Sequence, residues 1–361
     1  MRRSTILHTS ETGGPGGAET VMLNLASGLD PEKFRSIALV PCEGWLQRSL
    51  ADRQIPVFTA QSKGWTDLTL PRVMAQLVEE QQVDLIHSHL PDQNFYSSLV
   101  GRRKRRPVVA TYHGALDVTS SKQRLKFWVV SRLCSAGVAV SDYLGRAMVE
   151  GGFPGEKLHR IYNGIDPQRF QAAPTGRLRA ELGCSNGMKL VGMVANLRGP
   201  KGHDYFVRAA AHVLKVRPET WFVAVGDIDP VIERHVMRQA QELGVADRVR
   251  FLGFRRDVPQ ILVELDVFVL SSITEGFSIA TIEAMAAARP VVVTRSGGPQ
   301  EIVEDGRTGW LVPPADDCAL AEKICDVLAD GVRAGEMGEH ARLAVQERFS
   351  VRNMVAEYSR L

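Results

Sequence analysis

Ser271-Ser272-Ile273-Thr274-Glu275-Gly276-Phe277-Ser278-Ile279-Ala280-Thr281-Ile282-Glu283 follows the apolar run 267–270, and its reading decides the fold. Four consecutive apolar residues suit a strand buried on both faces, residues 271–277 a loop, and 278–288 a helix with Ile279, Ile282, Ala284 and Met285 inward. The same alternation of short apolar runs with longer amphipathic stretches recurs on both sides. Before it lie strand candidates at 4–8, 36–40, 84–87, 108–112, 137–140, 190–195, 221–225 and 250–252, and after it 291–294. Strands alternating with helices predict an α/β protein, and two comparable sets predict two doubly wound parallel sheets.

Residues 166–186 carry Pro167, Pro174, Gly176 and Gly183 without an apolar period, which places a junction there and a hinge near Pro174. The expected domains are 1–170, 171–345 and a C-terminal helix, 346–361. No repeat at a fixed period points to a solenoid or propeller.

Composition narrows the function. In 361 residues, 44 Lys and Arg face 41 Asp and Glu, a formal charge of +3, too small for a nucleic-acid binder relying on bulk charge. The five cysteines form no CxxC pair, against a zinc ribbon, and their odd number suits a reducing compartment. The N-terminus runs into a Gly-rich stretch at Gly13, with no room for the apolar core of a secretion signal, so a cytoplasmic location is expected.

Three constellations could carry chemistry. Gly13-Gly14-Pro15-Gly16-Gly17-Ala18-Glu19 joins the first strand to a helix, the corner where bare amides meet an anion. The dinucleotide fingerprint fails, because Glu19 stands at the third Gly position, and the Walker pattern fails for want of GK[ST]. Asn196-Leu197-Arg198-Gly199-Pro200-Lys201-Gly202 sets two cations at a strand's carboxyl end. A helix terminus contributes only about 0.3–1 kcal/mol toward an anion and a charge-assisted hydrogen bond about 1.5–3, so a diphosphate would need Arg198 and Lys201 as well as the helix. Glu275 and Glu283, eight positions apart, cannot form a helical pair and would address different parts of one ligand. Ser296-Gly297-Gly298-Pro299-Gln300-Glu301 adds another bare-amide turn.

Taken in order, these motifs resemble a retaining glycosyltransferase of the GT-B fold, family 4 (glycosyl transferases group 1), over nearly the whole chain. Tyr112-His113-Gly114, Val140-Ser141, Tyr162-Asn163-Gly164-Ile165-Asp166, Phe251-Leu252-Gly253 and the E-x7-E of Glu275 and Glu283 also carry the resemblance. It implies two Rossmann-like domains facing across a cleft, the N-terminal one taking the acceptor, the C-terminal one the sugar nucleotide, with the last helix crossing back to the first domain. It further implies that Arg198 and Lys201 hold the donor diphosphate, Glu283 the ribose hydroxyls, and Glu275 with Gly276, Phe277 and Ser278 the donor sugar. Gly14, Gly16 and Gly17 would approach the donor phosphate, Leu252 to Phe254 would line the base pocket, and His113 would face the reacting sugar. Arg289 before Pro290 departs from the family's usual Gly, and Gln300 from its usual turn; neither touches the activity.

The expected catalytic set is therefore Glu275, His113, Lys201 and Arg198. The expected donor is a UDP- or GDP-sugar and the acceptor a hydroxyl of a glycan, lipid-linked saccharide or small molecule, in hexosyltransferase-like polysaccharide or glycolipid synthesis. No cofactor or metal is called for, and no nucleic acid. His87 and His89 with His113 could suggest a metal, but lacking Cys or carboxylate partners they fit a structural or acceptor-side role better. The run 102–106, Arg-Arg-Lys-Arg-Arg, reads as a solvated helix end or a contact for anionic membrane. The rival functions are a GT-B sugar-nucleotide epimerase and a non-catalytic nucleotide-sugar-binding protein.

Overall fold

A computed structural model of the chain describes residues 2–61, 64, 67–116, 118–184 and 187–361. The chain forms two compact units, Met1–Gly164 with Val351–Leu361, and Ile165–Ser350.

The first unit holds β1 (Ser4–Ser10), β2 (Phe34–Val40), β3 (Val57–Thr59), β4 (Leu85–His89), β5 (Val108–Tyr112), β6 (Ala136–Ala139) and β7 (Leu158–Arg160). They form one parallel sheet in the order β3-β2-β1-β4-β5-β6-β7. Helices Thr69–Glu80, Pro91–Lys104 and Ser121–Leu133 pack successively against one another. Right-handed crossovers from β3 through β6 put all three on one face. The opposite face carries Gly17–Gly28 with Trp45–Ala51 and the last helix, Val351–Arg360, packed on it. Met22, Leu23 and Ala26 of Gly17–Gly28 meet Ala38 and Val40 of β2, and Leu46 and Leu50 close that core. Each large side chain so buried contributes about 1.5–3 kcal/mol.

The second unit holds β8 (Lys189–Val194), β9 (Thr220–Val225), β10 (Val249–Phe251), β11 (Val267–Leu270), β12 (Val291–Thr294) and β13 (Trp310–Val312). Its sheet is also parallel, in the order β10-β9-β8-β11-β12-β13. Both sheets therefore turn back at their first strand, leaving a switch point between β1 and β4 in one and between β8 and β11 in the other. Ligands of doubly wound sheets bind at the carboxyl ends of those strands.

Ten strands fall where the sequence places them. The three others, β3, β7 and β13, are three-residue strands at sheet edges. An edge strand needs no continuous apolar run, and Leu158-His159-Arg160 has none.

The chain first changes unit at Gly164–Ile165 and returns at Ser350–Val351, rather than at 170 and 345. Packing accounts for both differences. Phe170 is 3% exposed, anchoring the turn Pro167–Phe170 against helices Val258–Glu264 and Ile279–Ala286 of the second unit. Phe349 is 1% exposed, its ring 5.7 Å from that of Phe277, and its carbonyl accepts from the Ile165 amide at 2.9 Å. The junction read from sequence thus lies inside the second unit; its last residue, Asn186, is outside the described residues.

Candidate functional site

In the second unit, the loops after β8 and β11 are built onto each other. Gly202 ends the 3-10 turn Gly199–Lys201 with φ +66, a conformation suited to glycine, and a Cβ there would meet the Ser271 carbonyl at 2.1 Å. Ser271 donates to the Gly202 carbonyl at 2.8 Å. The β11 loop is tied in turn to the loop after β12: the Glu275 amide donates to the Ser296 carbonyl at 2.8 Å and the Gly298 amide to the Glu275 carbonyl at 3.0 Å. Gly298 is required by that approach, since a Cβ would lie 2.4 Å from the Gly276 carbonyl.

This framework brings Lys201 and Glu275 together. The Lys201 ammonium donates to Glu275 Oε1 at 2.5 Å and the Ser272 hydroxyl to the same oxygen at 2.8 Å. Glu275 is 7% exposed, whereas the lysine side chain is 31% exposed. A buried carboxylate is thus paired with a cation that still reaches solvent. Arg198, exposed at the start of the same turn, makes no ion pair among the described residues. Two cations, one buried carboxylate and two bare-backbone turns at a switch point can receive a polyanion whose far part carries hydroxyls.

Phe277 and Ser278 are buried at the start of helix Ile279–Ala286, where Ser278 caps the helix by accepting from the Thr281 amide at 3.2 Å. Glu283 lies on that helix facing the Pro167–Phe170 turn, and burial pushes its carboxyl up to about 7, against a smaller opposing pull from Arg169. The sequence did not single out Arg169. Leu252 and Phe254 are not brought beside Lys201. They follow β10, two strands from β8, or about 10 Å across the sheet. The Leu252 amide is bonded to the Ala224 carbonyl at 2.9 Å, and Phe254 is 44% exposed.

In the first unit, Gly16 caps helix Gly17–Gly28 with an extended backbone. Glu19, in the first turn, is 5% exposed; its carboxylate accepts from the Thr12 hydroxyl and lies against its own helix start. Gly16 is needed there, because a Cβ would stand 2.3 Å from Glu19 Oε2, whereas a Cβ at Gly14 would meet nothing within 4 Å. The buried carboxylate therefore answers its own amide at the helix start, and Gly14 is the open position.

His113, itself half-buried, adjoins three buried histidines at this unit's switch point. His8 on β1 is the register partner of His87 on β4, and His89 shares the face of His87 two residues on. His89 Nδ1 and His113 Nε2 are 2.9 Å apart, one donating and the other accepting, and His87 Nε2 bonds the Thr111 hydroxyl at 2.8 Å. Tyr358 of the last helix covers them, its hydroxyl 3.2 Å from Thr111 Oγ1 and its ring 5.1 Å from that of His87. Burial lowers His8 and His113 to about 3 and holds His87 and His89 well below the ordinary histidine range, so all four are neutral. One ring nitrogen each of His8, His87 and His89 lies within 4.8 Å of the others, the set that could gather a transition ion. In the second unit His212, Asp317 and Cys318 form a similar group, but Arg208 already occupies Asp317 at 3.0 Å. His8 and Tyr358 escape sequence reading because only strand register and the returning helix bring them in.

The comparisons with known proteins agree with this arrangement. Residues 188–330 match the family model for glycosyl transferases group 1, and residues 15–169 that for glycosyltransferase family 4. The alpha-maltose-1-phosphate synthase of Mycolicibacterium smegmatis is 30% identical over 302 residues, covering 74% of this chain and 75% of that protein. The chain belongs to the family 4, group 1 glycosyltransferases. This glycosyltransferase is also similar to the N-acetyl-alpha-D-glucosaminyl L-malate synthase of Bacillus anthracis, 28% identical over 298 residues, 81% of this chain and 77% of that one. Among solved structures, Anabaena HepE in complex with UDP-glucose superposes with a TM-score of 0.88 at 27% identity, over 99% of this chain and 100% of that one. The same protein with UDP and glucose gives 0.89 at 25% identity, over 99% of each chain. The fold of this glycosyltransferase is GT-B.

Proposed function

We propose that this glycosyltransferase moves a sugar from a nucleoside diphosphate donor to a hydroxyl acceptor with retention of configuration, and that the leaving group is stabilised by side chains rather than a metal. The observation that carries the reading is the Lys201–Glu275 pair at the β8/β11 switch point. As the glycosidic bond breaks, the diphosphate gains negative charge and the sugar becomes cation-like. Lys201 and Arg198 answer the first and the Glu275 carboxylate the second, each strengthening as charge develops. Glu275 already accepts from Lys201 and Ser272, so it positions sugar hydroxyls rather than attacking carbon. Retention then comes from front-face attack, the departing phosphate taking the acceptor's proton. A donor with its diphosphate at β8 would reach toward Leu252 and Phe254 with its base and toward Glu283 with its ribose. The acceptor would meet the neutral imidazole of His113.

HepE's complexes with UDP and UDP-glucose support a UDP-sugar as the first donor to test, with GDP-sugars next. A melting-temperature screen decides, since a ligand at 100 times its Kd adds about 2.7 kcal/mol. The expected result is a shift with one nucleotide sugar, undiminished by EDTA, and turnover only with a hydroxyl acceptor. Turnover without acceptor would favour the epimerase reading, and no shift with any nucleotide sugar would overturn the proposal.

A further inference from the structure

Helices Pro91–Lys104 and Ser121–Leu133 lie side by side on one face of the first unit's sheet. Lys126, on the second, bonds Asp92 and stands 5.9 Å from the Phe95 ring on the first, which fixes how they are staggered. Their outward faces carry three large apolar side chains: Leu99, 40% exposed, Leu125, 50%, and Trp128, 55%. Exposed apolar residues are ordinarily scattered singly. Here Leu125 and Trp128 are one turn apart on one helix, and Leu99 is on its immediate neighbour.

The charge around them is one-sided. Residues 93–134 contain nine Lys and Arg against a single acidic residue, Asp117. Lys104 and Lys126 are tied to Glu79 and Asp92. Arg102, Arg103, Arg105 and Arg106 make no ion pair among the described residues, and Arg105 ends its helix in a left-handed conformation at φ +55. Arg132 lies 6.0 Å from the Trp128 ring, and Arg124 adjoins Leu125. Cations therefore stand at both ends of a short apolar stripe.

We propose that this two-helix face docks on the surface of an anionic phospholipid bilayer. Trp128, Leu125 and Leu99 would enter the headgroup boundary, where aromatic and apolar side chains are at home, while the arginines meet lipid phosphates. A second copy of the chain would set arginine against arginine, and a nucleic acid would leave the leucines without a partner. Among the described residues no helix is long and apolar enough to cross a membrane, so the contact is peripheral. The inference stands independently of the donor chemistry proposed above.

Co-sedimentation tests it, with vesicles of phosphatidylcholine alone and with about one third phosphatidylglycerol at low salt. Binding is expected only to the anionic vesicles, weakening with salt and moving tryptophan emission to the blue. The Arg102→Gln/Arg103→Gln/Arg105→Gln/Arg106→Gln variant should bind roughly six-hundredfold more weakly, at about fivefold for each of the four cations near the surface. Leu125→Ser/Trp128→Ser should keep the salt-sensitive attraction and lose the emission shift. Melting temperatures, with and without donor, should match the parent, since every replaced side chain is exposed. Equal binding to both vesicles, or by the four-arginine variant, overturns the proposal. So does vesicle-free self-association abolished by Leu125→Ser/Trp128→Ser, or retention on duplex DNA in place of vesicles.

Discussion

The two sheets turn back at corresponding strands, yet their switch points carry opposite chemistry. Between β8 and β11 stand Lys201, Glu275 and Arg198, charged groups of which two still reach solvent. Between β1 and β4 stand His8, His87 and His89, neutral and enclosed, near a helix start whose first turn holds the buried Glu19 carboxylate. On the reaction proposed above, the leaving polyanion would be met by Lys201 and Arg198, and the incoming hydroxyl by uncharged imidazole. One topology would thus serve two electrostatic tasks, set by residues within the strands of one sheet and in the loops after the strands of the other.

The hardest test of this contrast is Lys201→Ala. If Lys201 meets developing charge, kcat at saturating donor should fall by about a hundred to a thousandfold, or 2.7–4 kcal/mol. Stability should fall as well, by about 1–3 kcal/mol, because a buried carboxylate loses its partner. Read from sequence alone, Lys201 is a surface-loop lysine whose loss leaves the fold untouched; the bond to Glu275 leads to the opposite expectation. Adding Glu275→Gln should restore the melting temperature and not the turnover. Near-parental turnover in Lys201→Ala would remove the charged half of the comparison.

That pair also marks where the sequence stops being legible. Arg198, Lys201, Glu275 and Glu283 can each be picked out, because charged residues beside Gly turns at strand ends are rare enough to read. Which of them touch is a matter of sheet order: Lys201 and Glu275 are 74 residues apart and meet only because β11 pairs with β8. His8 is invisible for the same reason, its neighbour His87 being fixed by the β1–β4 register. Two-faced strands announce themselves by unbroken apolar runs, but edge strands such as β7 do not. The unit boundary is misplaced by a few residues because Phe170 and Phe349, each an isolated aromatic, anchor segments that otherwise look like linker.

Buried groups of the two units should respond to pH in opposite directions. Glu283 has a folded value of about 7 against 4.5 unfolded, so its contribution is full below about pH 4.5 and is lost as pH rises through 7, a difference of about 3 kcal/mol. Glu283→Gln should flatten that part of the melting-temperature profile. If ribose hydroxyls bond the ionised carboxylate, donor binding should also release a proton near pH 6, seen as a buffer-dependent heat in calorimetry. His8, at about 3 against 6.5, does the reverse: the unfolded chain takes up its proton first, so stability present above pH 6.5 falls by about 2 kcal/mol at pH 5. His8→Leu should lessen the acid slope, and an unchanged slope would mean the imidazoles are not held neutral.

The smallest expected effect separates two glycines of the same loop. Gly16→Ala places a methyl 2.3 Å from Glu19 Oε2, so it must dislodge the buried carboxylate and should cost about 1–3 kcal/mol of stability. Gly14→Ala meets nothing within 4 Å, and its melting temperature should stay within about 0.5 kcal/mol of the parent's. If Gly14 is open because a ligand approaches the bare backbone there, transfer should nevertheless fall by about tenfold, roughly 1.4 kcal/mol in the barrier. Activity loss without stability loss at Gly14, against stability loss at Gly16, would assign one glycine to the ligand and the other to Glu19. Parental activity in Gly14→Ala would leave this loop with only the task of seating that carboxylate.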